Sequence, residues 1–291
     1  MTSQMPSPSQ NEPIVQLWPE IRSHIEATIS SNPRGKQVEI GPSELGTDCL
    51  HCLAAKLGGW PQSKAPAWLP FIGTSVHAQF EQAFRQIGTE ETDDGWPRFE
   101  TEKRVEISQI NGIFGSLPVH GSIDLYDRKT GSTVDWKIVG NTTLKTVKAA
   151  GPSQQYRVQA SLYGLGVENA GLPMERCCIY FLPRTSVSLD DAFTWESEWD
   201  PQIGKWALAR AQLLVSFMDT IELTDGLEVR DQWISSLPKT QTHCFNCGTW
   251  PDDNLGEFSI LNKPKHDIVP DKWKQLTQLL EPTYKPTENQ Q

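Results

Sequence analysis

Two aspartates and a lysine give residues 121–137, GSIDLYDRKTGSTVDWK, their chemical interest. Ile123 and Leu125 alternate with Ser122, Asp124 and Tyr126; further on, Val134, Trp136 and Ile138 alternate with Asp135 and Lys137. Period-two alternation predicts two half-buried strands, and Arg128, Lys129, Thr130 and Gly131 supply a polar turn between them. A turn centred between Lys129 and Thr130 sets Asp124 across from Asp135, with Lys137 two residues on and on the same polar face. Opposed Cβ atoms in such a pair lie roughly 4.5–5.5 Å apart. Carboxylates that close repel each other unless a cation lies between them. Oxygen ligands suit Mg²⁺ or Mn²⁺, and such a metal polarises a phosphate and lowers the pKa of a bound water. An ammonium group beside it holds the attacking water or steadies the developing charge. The chemistry indicated is metal-assisted phosphodiester hydrolysis. A surface hairpin with a solvated Asp–Lys pair would share the local pattern, so the flanking residues decide.

Upstream, His77 lies one helical turn before Glu81 and off the Val76, Phe80, Phe84 face of its segment. His77 is a candidate third ligand beside the carboxylates, and Glu81, at i+4 on the same side, a candidate ligand for a second metal. Downstream, Gln159 and Tyr163 are also four apart and share a helix face with Gln155. A tyrosine there can hydrogen-bond a phosphate or stack on a base, and a glutamine can hold a metal-bound water. Tyr156 and Arg157 belong to the same neighbourhood. Residues 128–157 hold six basic side chains (Arg128, Lys129, Lys137, Lys145, Lys148, Arg157) against one acid, Asp135, a net of +5 in a chain whose overall charge is −10. The overall charge argues against coating nucleic acid by bulk attraction, while the local reversal marks Lys145, Lys148 and Arg157 as a phosphate-facing surface.

Cys49-Leu-His-Cys52 and Cys244-Phe-Asn-Cys247 are two C-x-x-C pairs near the two ends of the globular part. Together they offer four thiolates, the complement for tetrahedral Zn²⁺ or for an iron–sulfur cluster. A metal shared between them would clasp the chain ends across what lies between. His51 and His243 flank the pairs as substitute ligands. Cys177 and Cys178 fall in an apolar run and read as core. A zinc hydrolase using the four cysteines is excluded, because four thiolates close the coordination sphere to water.

The elements that must position these groups follow from periodicity. Helices are expected over residues 14–30, from 42 (with Ser43 as cap) through the first cysteine pair to Gly58 and Gly59, over 74–87, 153–169 and 203–223, and briefly after 233 ahead of a cysteine knuckle. Strands are expected over 99–108, through the central hairpin, over 176–182 and over 193–199. The order implies an α/β fold, a mixed central sheet flanked by helices. The segments read as a disordered tail over 1–13, an N-terminal helical segment with the first cysteine pair over 14–70, a core over 71–200, a C-terminal helical segment with the second pair over 201–262 and a mostly flexible tail over 263–291. No apolar run reaches the ~18 residues of a membrane span, and the polar first residues lack a signal peptide's apolar core. The expectation is a cytoplasmic chain with reduced or metal-bound cysteines.

The order of these features resembles the PD-(D/E)xK nuclease superfamily, specifically its RecB-like exonuclease branch, which includes CRISPR-associated exonucleases and similar bacteriophage proteins. Four motifs carry the resemblance across residues 73–164: GTSVHAQFEQAF with His77, GSID with Asp124, VDWK with Asp135 and Lys137, and QASLYG with Gln159 and Tyr163 as a Q-x-x-x-Y motif. The resemblance implies a restriction-endonuclease-like core and His77, Asp124 and Asp135 as Mg²⁺ or Mn²⁺ ligands. It also implies Lys137, Gln159 and Tyr163 in the catalytic machinery and hydrolysis at a free DNA end, in recombination, repair or phage DNA processing. Related exonucleases hold a 4Fe-4S cluster with one upstream and three downstream cysteines. This chain has two and two, so Cys52 would supply the fourth ligand; the likeness favours the cluster, while the spacing equally suits Zn²⁺. Two alternatives stand beside this: a structure-specific endonuclease, and a non-catalytic cysteine-metal DNA-binding or assembly module on a nuclease fold.

Overall fold

A computed structural model describes residues 17–31, 40–63, 68–87, 92, 95–240, 244, 246–252 and 269–286. The expected tail over 1–13 lies outside them. Helix α1 (Leu17–Ser31) comes first. Where the sequence reads as one helix through the first cysteine pair, the chain forms two, α2 (Pro42–Leu45) and α3 (Leu50–Leu57). The break falls at Gly46, which lies so close to a later helix that a Cβ there would meet Gln155 Cα at 2.7 Å. Ser43 is not the cap. Gly41 takes that place, its N–H donating to Glu44 Oε2 at 2.8 Å. Helix α4 (Trp68–Ile87) begins six residues before the expected start.

Five strands follow in one sheet: β1 (Phe99–Asn111), β2 (Ser116–Asp127), β3 (Ser132–Val139), β4 (Arg176–Pro183) and β5 (Phe193–Glu198), in the spatial order of the chain. The β3–β4 pair is parallel and the other three are antiparallel. A parallel step needs a crossover, and α5 (Asn141–Ala150) and α6 (Gln154–Asn169) supply it. Helix α5, unmarked by any sequence signal above, buries only Leu144 and Val147. The fold is thus a mixed α/β sheet flanked by helices, as expected. Long α7 (Pro201–Asp225), then α8 (Leu227–Ser236) and short α9 (Asp271–Lys274), complete it.

The central hairpin pairs Leu125 with Val134, Tyr126 with Thr133 and Asp127 with Ser132, the register that places Asp124 and Asp135 next in line. Gly131, at φ 60°, turns the chain in the left-handed region that favours glycine. The strands are buried on both faces rather than half-buried. On one face Phe80 and Phe84 of α4 set their rings against Trp136, with centroids 5.3 and 5.7 Å away. Ile123 and Tyr126 join the main core with Val158, Leu162 and Tyr163 of α6 and with Leu214 and Met218 of α7. Asp124 and Asp135 on this hairpin are therefore interior groups.

The segment read as a flexible tail packs from Val269 onward. Val269, Trp273 and Leu280 are buried, and Pro282 O accepts hydrogen bonds from Arg210 and Gln154 at 2.8 and 3.1 Å. Three buried apolar side chains and a satisfied carbonyl outweigh the local Pro- and polar-rich composition. Among the described residues, no helix is long and apolar enough to cross a membrane.

Candidate active site and cysteine cluster

The hairpin's inner end collects the charged groups. Asp124 is 7% exposed and Asp135 5%. Asp124 Oδ2 accepts the Trp136 N–H at 2.8 Å, which ties the two strands together just where their ladder ends. From α4, His77 reaches over the strand ends, with Nδ1 3.2 Å from Asp124 Oδ1 and Nε2 3.0 Å from Trp136 O. Both neighbours are acceptors, so in the metal-free site they favour a proton on each ring nitrogen, an imidazolium, and one of these protons must leave for His77 to ligate a metal. Burial disfavours that charge, but the Asp124 hydrogen bond and the Asp124 and Asp135 charges outweigh it and raise the His77 pKa.

Asp135 and Lys137 form an ion pair at 2.6 Å. Burial pushes the Asp135 carboxyl up; Lys137 opposes this and Asp124 adds to it, leaving its pKa at about 6. Burial alone would lower Lys137, yet the Asp135 charge and hydrogen bond raise it. Gln159 holds the pair: its Oε1 accepts from Lys137 Nζ at 3.0 Å, while its Nε2 lies 3.3 Å from Asp135 Oδ1 and 2.8 Å from Tyr163 Oη. The Lys137 ammonium also sits 5.3 Å above the centre of the Tyr156 ring, a cation–π contact.

Sequence reasoning put Gln155, Gln159 and Tyr163 on one polar helix face. Gln155 is exposed, whereas Gln159 and Tyr163 are buried against the sheet. The Tyr163 ring lies on Gly121, where a Cβ would come within 2.8 Å of it. Its face is thereby unavailable for stacking on a base, and its hydroxyl acts through Gln159. Glu81 pairs with Arg85 at 2.6 Å instead of joining the carboxylates. Lys145 and Lys148 are exposed on α5, and Arg157 is exposed on α6.

Two groups escaped sequence reasoning. Glu102 of β1 brings a carboxylate within 4.8 Å of donor atoms of His77 and Asp124. It sits at φ 46°, the one non-glycine residue of positive φ among those described, a strained backbone of the kind that collects at functional sites. It faces Asp124 only through the β1–β2 register, which the composition of that turn does not reveal. The second is the Trp136 carbonyl, a main-chain donor with no side-chain signal.

The donors that lie within 4.8 Å of one another at this end are His77, Asp124 and Glu102, with the Trp136 carbonyl against His77 and the Asp135 carboxylate turned to Lys137 and Gln159. Hard oxygen donors with one nitrogen fit Mg²⁺ or Mn²⁺. A cation would also compensate a buried carboxyl that burial and a like charge push upward.

A separate cluster lies at the start of α3. Cys49 Sγ is 3.5 Å from Cys247 Sγ, and Cys52 Sγ is 3.2 Å from Cys244 Sγ and 3.5 Å from Cys247 Sγ. The Trp250 indole N–H donates to Cys52 Sγ at 3.3 Å. His51 is fully buried, with Nε2 held 2.9 Å from Asp252 Oδ2 and Nδ1 3.9 Å from Cys52 Sγ. His243 lies outside the described residues. Cys177 is buried, its thiol pushed up to about 12 by burial; Cys178, expected to be core, is partly exposed on the other face of β4.

Neither a protein-family model nor a curated protein matches the sequence. Among solved structures the chain is distantly similar to SSO0001, at 13% identity over 67% of this chain and 86% of that one, with a TM-score of 0.44. It is similar to an alkaline exonuclease from Laribacter hongkongensis at 14% identity over 61% and 86%, with a TM-score of 0.37. A putative exonuclease from Eubacterium rectale follows at 17% identity over 63% and 81%, with a TM-score of 0.36. Likenesses at this distance do not assign a chemistry, so the functional reading rests on the geometry of the site.

Proposed function

We propose that this protein is a divalent-metal-dependent deoxyribonuclease of the PD-(D/E)xK kind, acting on phosphodiester bonds at a free DNA end. The observation that carries this reading is the convergence of Asp124, Asp135, His77 and the Trp136 carbonyl at one strand end, with Lys137 ion-paired to Asp135 beside them. Asp124, Asp135 and His77 would hold Mg²⁺ or Mn²⁺, with Glu102 in reach of the same position. When bound, such a metal polarises the scissile phosphate and acidifies a water.

The chain's own groups do the rest. Lys137 keeps its proton at the Asp135 charge and presents an ammonium to the attacking water and to the charge that develops on the phosphoryl oxygens. Gln159 fixes the direction of that ammonium through its carbonyl, and Tyr163 fixes Gln159. Lys145, Lys148 and Arg157, exposed on the two helices that follow β3, would take the phosphates of the incoming strand. The preference for an end over an internal site rests on the sequence resemblance through His77 and the Q-x-x-x-Y pair. An intact carboxylate and lysine set disfavours a non-catalytic module.

The test is cleavage of end-labelled single- and double-stranded DNA with Mg²⁺ or Mn²⁺, with wild type beside Asp135→Ala and Lys137→Ala. Progressive loss of label in wild type, abolished in both variants, is the expected result. Equal activity in all three would assign the cleavage to a contaminant and remove the site. Tight DNA binding with no cleavage in any condition would make the protein a binding module.

A further inference from the structure

We infer that the four cysteines hold one tetrahedrally coordinated zinc ion, not a four-iron cluster, and that this ion closes the N- and C-terminal segments over the core. The inference stands apart from the nuclease reading, since it concerns residues remote in function from Asp124 and Asp135.

Distance decides between the two occupants. A zinc ion bonds thiolates at about 2.3 Å, so the sulfurs of a tetrahedral site stand roughly 3.8 Å apart. Three of the six sulfur–sulfur distances, Cys49–Cys247 and Cys52–Cys247 at 3.5 Å and Cys52–Cys244 at 3.2 Å, fall just inside that spacing, with Cys244 joined to the others through Cys52. In a four-iron cluster each thiolate takes a different iron, and the irons and sulfides between them push the sulfurs much farther apart. A cavity of that width is missing at Cys49, Cys52 and Cys247, whose sulfurs and the ring of His51 all lie within 4.8 Å of one another. The distances are equally too long for a disulfide, in which the sulfurs are about 2 Å apart.

Two neighbours are of the kind that support metal-bound sulfur. The Trp250 N–H donates to Cys52 Sγ, and the Asp252 carboxylate holds one nitrogen of His51 so that the other faces the cysteines. Donors of this kind orient and charge-balance metal thiolates. Two ligands come from the start of α3 and two from a segment 192–198 residues later. Because the unfolded chain cannot offer that set, ion binding contributes to folding directly.

The full chain, expressed with zinc, iron and a sulfide source all in supply and purified without oxygen, is analysed for metals and for its visible spectrum. The expected result is about one zinc per chain, little iron and no visible colour. Cobalt(II) exchanged into the wild-type chain should give the strong visible bands of a tetrahedral thiolate site, a readout that needs no variant to fold. Cys244→Ser with Cys247→Ser should lose the zinc, whereas Cys177→Ser should keep it. About four irons with matching sulfide and a brown chain would overturn the inference. So would a metal-free chain in which all six cysteines titrate as thiols, or one with two disulfides among Cys49, Cys52, Cys244 and Cys247. None of these readouts uses DNA, so a chain inactive on DNA still decides the point.

Discussion

Gln159 is the residue through which the candidate catalytic groups are held together. Its amide touches Lys137, Asp135 and Tyr163 at once. Replacing it by leucine removes the carbonyl that aims the ammonium while keeping the volume. Gln159→Leu should lower the turnover number about 10–100-fold, the usual cost of losing an orienting partner, with little change in KM. An equal loss in both parameters would mean the side chain binds DNA instead. Asp135 shows the opposite balance, in which burial outweighs the Lys137 ion pair. Its carboxyl is raised to about 6, so the folded chain holds that proton more tightly than the unfolded one. The stability linked to it is present at low pH and is lost as pH rises through about 6. In the metal-free chain, Asp135→Asn should therefore raise the melting temperature at about pH 8 and do so less at about pH 5, while cleavage disappears. A variant that melts lower at both values would show that the ion pair dominates.

At the scale of elements, the position of α6 matters most. The bare backbone of Gly121 lets Tyr163 settle on β2, and Gly46 lets the α2 turn settle on the first turn of α6. Arg210 of α7 completes this arrangement from below. It is buried, and its guanidinium donates to Leu45 O and Thr47 O at 2.7 Å and to Pro282 O at 2.8 Å, with its plane on the Trp206 ring. Burial lowers its pKa to about 10, so it stays charged at neutral pH. The Leu45 and Thr47 carbonyls depend on this one side chain, and Pro282 O shares it with Gln154. Arg210→Met should cost about 2–4 kcal/mol in chemical denaturation, because it leaves buried acceptors without donors. A cost below about 1 kcal/mol would mean that water replaces the guanidinium.

For the whole molecule, the field is acidic, with a net charge of −10, and any phosphate binding must be local. Lys145 and Lys148 lie exposed on α5, one turn apart. Charge reversal of both, Lys145→Glu with Lys148→Glu, should weaken DNA binding. It should also reduce the slope of log affinity against log salt by about one for each phosphate that the protein no longer neutralises. The rate at saturating DNA should hold. An unchanged slope would place the DNA on another face. The second whole-molecule feature is closure: α3, the segment around Cys244–Trp250 and the packed stretch from Val269 meet on one side of the core. Both α3 and the stretch from Val269 are thus part of the main core.

Local pattern alone predicted the hairpin, its register, the placing of Asp135 and Lys137 on one face and the helix bearing Phe80 and Phe84. Alternation and helical period follow from backbone geometry within a few residues, and a four-residue turn leaves little freedom in how its strands pair. The tertiary structure decided what those faces meet. Asp124 and Asp135 look like solvated polar positions until α4 and α6 cover both sides of the sheet. Gln159 and Tyr163 look like a wet stripe until Gly121 admits the ring. Glu102 enters the site only through the β1–β2 pairing, and the stretch from Val269 folds only because Arg210, Gln154 and Trp233 wait for it. Burial depends on groups far apart in sequence, and periodicity carries no record of them.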